Sequence, residues 1–459
     1  MRKTIIKFGG SNLQKAKDYL TLCNLVKTYV EPPVIVISAF SGITDKLLKT
    51  WNAEKDINIS ERLLNDIGNL HKNILFQNIN NTQTLNKCLI ELNVLLDKMR
   101  EVFSCRKSAD DYDTKDVFLS YGERLSSWLF VKILTTQNIP AQWALPEEMG
   151  LYTNGIIGNA TIDFLKSKKK INDFFTSDHC YVIPGFYGIS ANGKVTTFGR
   201  SGSDYTAAAL ANILNASSLD LWKDVDGVLS CDPNLVINPV SIHCMSYAEA
   251  SELAYFGAKI LHPLCIEPVE EKNIPVRIFN INSQHIKPVT LICSEKNINK
   301  QIVKSVTYSK QFSLVKLEGA GLGYKHGVLS KVTSLLFLNN INIKSVITSQ
   351  TSITLLLSEE DAKEAVQKIF NKKIDTIKTI KTVNNVATIA LVGEGLTEQY
   401  GIAGKVFGAL AKAEINVKLI SFGSSDVAIY FIIDTKDCEA AVSLIHEEFF
   451  AIINSINCN

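Results

Sequence analysis

Several short stretches of the chain carry residue types that can hold an anion such as a carboxylate or phosphate. Lys7-Phe8-Gly9-Gly10 closes an apolar run with one ammonium and two glycines. Thr197-Phe198-Gly199-Arg200-Ser201-Gly202-Ser203-Asp204 sets a guanidinium and a carboxylate among small residues, just before the helix-favouring run Thr206-Ala207-Ala208-Ala209-Leu210-Ala211. A helix start leaves backbone N–H groups open, and its dipole favours negative charge by about 0.3–1 kcal/mol. Glycines admit a ligand close to the backbone, and Arg200 can fork onto a carboxylate or phosphate. The same turn also reads as an ordinary helix cap beside a surface arginine.

Three further groups need weighing. Asp224, Asp226 and Asp232 lie close together after Trp222-Lys223. Such acids either hold a divalent ion through oxygen or cap turns ahead of Gly and Pro. Glu123 and Arg124 interrupt an apolar helical pattern, and adjacent helical positions diverge by about 100°, so at most one can face a site. The other reading is an ion pair on a solvated face. In Phe256-Gly257-Ala258-Lys259-Ile260-Leu261-His262-Pro263, Lys259 is the candidate ligand, and His262 reads as a turn residue rather than a base.

The elements that must position these groups follow from periodicity. Residues 4–8 form a buried strand ending at the glycines, residues 13–29 a helix stopped by Pro32-Pro33, and residues 34–38 an apolar run typical of a central parallel strand. In open α/β sheets ligands gather at the carboxyl ends of strands, so residues 7–10 and 41–44 are expected to line one crevice. Residues 60–104 read as a helical excursion covering that crevice, and residues 117–137 as a long helix. Strands are expected at 141–145, 181–184 and 194–198. Ser246 and Glu249 form a capping box that opens a helix running to about residue 255.

At 459 residues and 46% hydrophobic content the chain can build two or three cored domains. A net charge of +2 offers no basic field for nucleic acid or membrane. Ten cysteines without a C-x-x-C pair fit neither a zinc site nor a disulfide framework, and a reducing, cytoplasmic setting is expected. No signal-peptide core is visible, and no apolar run reaches the roughly 18 residues of a membrane helix.

Taken together, Lys7-Phe8-Gly9-Gly10, Gly199-Arg200-Ser201-Gly202-Ser203-Asp204, Trp222-Lys223-Asp224-Val225-Asp226-Gly227 and Phe256-Gly257-Ala258-Lys259-Ile260-Leu261-His262-Pro263 resemble the aspartate kinase family in order and spacing, over nearly the whole chain. The resemblance implies a three-layer αβα sandwich, the amino acid kinase fold, over residues 1–297. It implies ATP-dependent phosphorylation of the side-chain carboxylate of L-aspartate, the first step toward lysine, threonine and methionine. Mg-ATP would be a co-substrate, with magnesium carried mainly by the phosphates and no dedicated protein metal site. Lys7, Phe8, Gly9 and Gly10 would meet the phosphates, with Lys223, Asp224, Leu229, Asn234 and Lys259 around the nucleotide. Thr44, Glu123, Arg200, Ser201, Gly202 and Ser203 would hold aspartate, Arg200 on a carboxylate and Glu123 on the ammonium. Lys7 and Asp204 would be the catalytic pair, Asp204 ordering Lys7 and the magnesium-phosphate group. The chain departs from the family at Ser11-Asn12, at Lys223 where relatives carry threonine, and at Leu229 and Asn234 where they commonly carry tyrosine and arginine. Lys223 could supply a replacement charge to the nucleotide.

The last third contains an internal duplication. Gly321-Leu322, Gly327-Val328, Lys331-Val332, Leu336 and Ile341-Asn342-Ile343-Lys344 recur 74 residues later as Gly395-Leu396, Gly401-Ile402, Lys405-Val406, Leu410 and Ile415-Asn416-Val417-Lys418. Each copy reads strand, glycine loop, helix, strand, strand and a final helix begun by Ser358 or Asp434. The loop Gly319-Ala320-Gly321-Leu322-Gly323 lacks the third glycine of a dinucleotide fingerprint. The repeats resemble paired βαββαβ ferredoxin-like ACT domains, expected at 302–383 and 384–459. The resemblance implies an amino-acid effector, lysine or threonine, bound by Leu322, Lys325, Gly327, Val328, Leu329, Ile343, Lys344, Thr348 and Ser349, with a homodimer formed through the repeats. Lysine-sensing relatives carry an acid where Lys344 stands. No dehydrogenase portion is expected. A catalytically weakened amino-acid sensor and a kinase of another small carboxylate remain as alternatives.

Overall fold

The computed structural model describes residues 3–53, 56–108, 110–176, 179–258, 262–283, 286–295 and 302–456. The chain divides into two compact units: Met1–Val228 with Ser241–Ser251 and Lys259–Asn297, and Leu229–Val240 with Glu252–Ala258 and Ile298–Asn459. Two short segments that precede residue 297, Leu229–Val240 and Glu252–Ala258, cluster with the second unit.

The first unit is built on an eight-stranded sheet, in the order Cys244–Ser246, Thr290–Cys293, Val276–Asn280, Ser218–Lys223, Thr4–Phe8, Val34–Ile37, Cys180–Pro184, Ala141–Trp143. All neighbours are parallel except Val276–Asn280 with Thr290–Cys293. The central strands are apolar and buried on both faces, as a parallel sheet covered by helices requires. Side chains alternate across the sheet. Ile6, Phe8, Ile35, Ile37 and Val182 join a core with the helices on one face, whereas Lys7 and Ile5 point to the opposite face. There the helix Gly202–Ile213 packs on Thr4–Phe8. This alternation delivers Lys7 to the start of that helix.

The excursion consists of the helices Ile57–Asn78 and Thr82–Ser104. It packs its apolar stripe, including Leu64, Ile67, Leu92 and Phe103, into the core shared with the helix Tyr112–Thr136. It contributes no residue to the cavity described below, so its expected role as a crevice cover is corrected. The strand before Arg200, Val195–Thr197, belongs to a separate small sheet with Tyr187–Ser190 and Tyr152–Thr153 rather than to the main one. The capping box forms as expected: Ser246 N–H donates to Glu249 Oε2 at 2.8 Å, and Glu249 N–H donates to Ser246 Oγ at 3.2 Å.

The second unit contains a six-stranded sheet, in the order Ser345–Thr348, Ser352–Ser358, Ser305–Glu318, Thr379–Val392, Ala428–Asp434, Leu419–Ser421. Its two central strands are long, antiparallel and irregular near Ser309 and Phe312. Phe312–Glu318 serves the first repeat, while Ser305–Ser309 lies against Val392–Thr388 of the second. Val303 and Val306 accordingly share the second repeat's core with Ile389, Leu391 and Phe431, and Val315 and Leu317 share the first repeat's core with Leu355 and Leu357. Within the long strand Thr379–Val392, residues 379–383 pair with the first repeat, while residues 388–392 of the second repeat pair with Ser305–Ser309, which precede the first in the chain. Ser358 caps the helix Glu359–Lys372 through Asp361 N–H at 3.1 Å. Asp434 instead pairs with Lys418 at 3.2 Å and makes no side-chain cap.

Candidate active site

One cavity of about 1010 Å³ in the first unit brings together Lys7, Gly10, Ser41, Thr44, Glu123 and the whole turn Gly199–Asp204. The crevice expected at the carboxyl ends of the first two strands is present. Each wall has a local cause. A Cβ on Gly9 would stand 3.1 Å from Lys7 Nζ, and one on Gly10 would meet the Ala39 carbonyl at 3.2 Å, so the glycines make room for the ammonium and the adjoining strand end. Gly9 N–H donates to Asn12 Oδ1 at 3.0 Å, which fixes the loop. Ser201 adopts φ 57° ahead of Gly202–Ile213. This left-handed residue is strained by about 1–3 kcal/mol in a non-glycine. It turns the chain so that Arg200 stays exposed while Ser203 and Asp204 are buried.

The charges are arranged in pairs, with exceptions that face the cavity. Asp204 pairs with Lys7 through one oxygen, and Lys223 Nζ lies 3.3 Å from the other. Burial alone would raise the Asp204 carboxyl, but Lys223 and Lys7 outweigh it and hold the group well below the usual carboxylate range. Burial lowers the Lys7 ammonium, with Asp204 opposing and Lys223 reinforcing the shift. Glu123 is 4% exposed and accepts Ala39 N–H on Oε1 at 3.1 Å, while Oε2 is buried without a hydrogen-bond partner among the described residues. Burial pushes its carboxyl up to about 8, against the Ala39 amide and Lys7. Its neighbour Arg124 turns away to Glu147 Oε1 at 2.6 Å and Ser120 Oγ at 2.9 Å, which settles which of the two faces the site. A Cβ on Gly122 would stand 3.0 Å from Ala39 Cβ, so the glycine lets this helix approach closely. Arg200 has no ion-pair partner among the described residues.

Asp116, which sequence reasoning missed, anchors two walls at once. Its carboxylate accepts Gly158 N–H at 2.8 Å, Thr197 N–H at 2.7 Å and Thr197 Oγ1 at 3.0 Å. Burial raises this carboxyl against those three donors. A signal did exist: Asp116 lies seven residues before Glu123, two turns away on one helix face.

Several expected residues are placed elsewhere. The Phe8 side chain is in the core, 6.1 Å from Phe130, so a ligand can meet only its backbone. Asp224 is exposed, and Asp226 accepts from Asn280 at 2.6 Å. Leu229 and Asn234 belong to the second unit, where Asn234 folds onto Asp232 at 2.9 Å. Asp226 thus ties its turn to the end of the strand Val276–Asn280, and Asp232 holds its own turn while accepting the Tyr308 hydroxyl at 3.2 Å. Lys259 lies outside the described residues. Among the expected effector residues, the Leu322 and Val328 side chains pack into the first repeat's core, Val328 on the stripe continued by Val332 and Leu336. Lys325, Gly327, Leu329, Thr348 and Ser349 are exposed, and Ile343 and Lys344 are half-buried. Lys344 Nζ lies 5.5 Å from the Tyr255 ring, and its carbonyl accepts the Tyr255 hydroxyl.

Comparison with known proteins agrees with this construction. The model of the amino acid kinase family matches residues 2–280, and that of the ACT domain matches 315–372 and 389–449. The chain belongs to the amino acid kinase family and carries ACT domains. It is 31% identical to aspartokinase 1, chloroplastic, of Arabidopsis thaliana, over 97% of this chain and 80% of that one. It is 27% identical to the lysine-sensitive aspartokinase 3 of Escherichia coli, over 97% and 99%. The crystal structure of E. coli aspartokinase III in complex with aspartate and ADP superposes with a TM-score of 0.86 at 27% identity, covering 98% of this chain and 100% of that one. Within the family, the chain is one of the aspartate kinases with ACT regulation. No helix among the described residues is long and apolar enough to cross a membrane.

Proposed function

We propose that the cavity transfers the γ-phosphoryl group of Mg-ATP to the side-chain carboxylate of L-aspartate, giving 4-phospho-L-aspartate. The observation that carries the reading is the placement of an exposed arginine, a buried carboxyl with an open oxygen, and a lysine–aspartate pair around one cavity. Arg200 takes the α-carboxylate and Glu123 the ammonium, with Thr44 and Ser203 completing the cradle. A carboxylate is already a nucleophile at neutral pH, so no general base is needed. Lys7 and the Gly9-Gly10 loop align the phosphates, and positive charge there offsets what develops on the transferring group. Magnesium arrives on the triphosphate as part of the substrate.

The ACT unit supplies feedback by an amino acid, lysine or threonine. Its exposed polar groups lie near the edge strand Ser345–Thr348. An open sheet edge is a pairing surface, and a second copy of the chain would complete both the sheet and the effector site in a homodimer. No disulfide joins the nine described cysteines, which supports a reducing cytoplasm.

The test is Mg-ATP-dependent ADP release with L-aspartate, L-glutamate and N-acetyl-L-aspartate, each with and without lysine or threonine. Release is expected with aspartate alone among the three, since acetylation removes the ammonium that Glu123 requires. Equal turnover of N-acetyl-L-aspartate would remove Glu123 from the reading, and preference for glutamate would replace the acceptor.

A further inference from the structure

Among the described residues, Asp204 carries two ammonium groups where one would neutralise it. Lys7 holds one oxygen and Lys223 Nζ lies 3.3 Å from the other, and the three side chains are 7%, 15% and 8% exposed for Lys7, Lys223 and Asp204. Strand register explains how they meet. Lys7 pairs with Leu221 and Phe8 with Trp222, so Lys223 lies one step beyond, on the sheet face that carries Lys7. Lys7 and Asp204 line the cavity, but Lys223 is not among its lining residues. Lys223 is joined to the cavity wall through Asp204.

A second buried ammonium is costly unless it offsets something. An incoming triphosphate competes with Asp204 for Lys7. If Lys7 were the only cation on Asp204, its departure would strand a buried carboxylate, and the ion pair would hold the lysine back. With Lys223 in place, a one-to-one pair remains after Lys7 turns to the phosphates. The Cys265 thiol also lies within electrostatic range of the cluster, and burial keeps it protonated.

We infer that Lys223 is a positioning residue for phosphoryl transfer, holding Asp204 so that Lys7 is released to the phosphate chain. This rests on reading the cavity as a phosphoryl-transfer site.

The test measures calorimetric binding of magnesium tripolyphosphate to the full chain and to its K223M, K223T and K223R variants, with steady-state kinetics alongside. Tripolyphosphate makes the measurement independent of the acceptor and of nucleoside contacts. K223M and K223T are expected to weaken tripolyphosphate binding and raise KM for Mg-ATP by about tenfold or more, as for loss of a charge-assisted contact. The aspartate KM should stay within about twofold, and K223R should recover most of the loss. Binding by K223M equal to that of the parent chain would overturn the inference. So would K223R behaving like K223M with both melting at lower temperature, since that pattern marks a packing role. A parent chain that turns over no Mg-ATP with aspartate would overturn the kinase reading, whereas one that turns over but ignores tripolyphosphate would overturn this inference alone.

Discussion

The cavity and the effector region of the first repeat differ in how they treat polar groups. Lys7, Glu123 and Asp204 are between 4% and 6% exposed, each held against a named partner. Lys325, Thr348 and Ser349 stand in solvent beside an open sheet edge. Buried charges are costly, so each must have a partner or an awaited ligand, and their positions specify the chemistry. Exposed groups carry no such constraint. The cavity thus defines its ligand within one chain, whereas the effector region acquires definition from whatever covers the edge.

The largest effect is expected at Lys7. Lys7→Ala should lower kcat by about 10²–10³-fold, the range for loss of one transition-state charge stabiliser, while Asp204 keeps Lys223 as partner. Steady-state kinetics of the folded variant checks this, and a loss below tenfold would break the contrast between the two regions.

Glu123→Gln should raise the aspartate KM by about 10–100-fold, as for a hydrogen bond to a charged group. It also carries a pH signature. With the folded-state carboxyl raised to about 8, the ligand-free site holds a proton at pH 7 that the substrate ammonium must displace. Aspartate affinity should therefore rise from pH 6 to 8, with proton release visible by calorimetry in buffers of different ionisation enthalpy, and both should vanish in the variant. The same proton affects stability. The folded chain retains it where the unfolded chain, near 4.5, has lost it, so this group's contribution falls as pH rises from about 5 to 8. Glu123→Gln should remove that fall from the unfolding curve.

Asp116→Ala leaves the Gly158 and Thr197 amides without their acceptor and should cost about 1–3 kcal/mol in denaturant unfolding. The aspartate KM should rise as well, because both walls flank Arg200. Unchanged stability would show that water replaces the carboxylate.

The smallest effect on turnover is expected in the second unit. Lys344→Glu should leave kcat within about twofold and change which amino acid inhibits, with any coupling within the usual 5–150-fold. Inhibition curves with lysine and threonine read it, and a large change in uninhibited kcat would show that the two regions are not separable.

The legible parts of the sequence were those governed by local periodicity. The strands at residues 4–8 and 34–38, the capping box at Ser246 and the repeat at constant offset were visible because each depends on neighbours within a few residues. The site was legible where a motif and its element coincide, as at Lys7-Phe8-Gly9-Gly10 and at the turn before Asp204. What escaped was non-local. Lys223 and Asp204 are 19 residues apart and meet through strand register. Asp116 finds its partners 42 and 81 residues away. The inward turn of Val328 depends on which helix face the sheet covers, and the strand lent to the second repeat depends on pairing between Ser305–Ser309 and Val392–Thr388. Helical periodicity identified the excursion as helices, but not the core it would cover.

The central claim is that this chain forms an acyl phosphate on the aspartate side chain using Lys7. Trapping that product with hydroxylamine tests it most directly. Hydroxamate should accumulate with Mg-ATP and L-aspartate, should be absent when aspartate is omitted, and should fall at least about 10²-fold in Lys7→Ala. Folded chain that releases no hydroxamate, or a Lys7→Ala variant that matches the parent, would contradict the account.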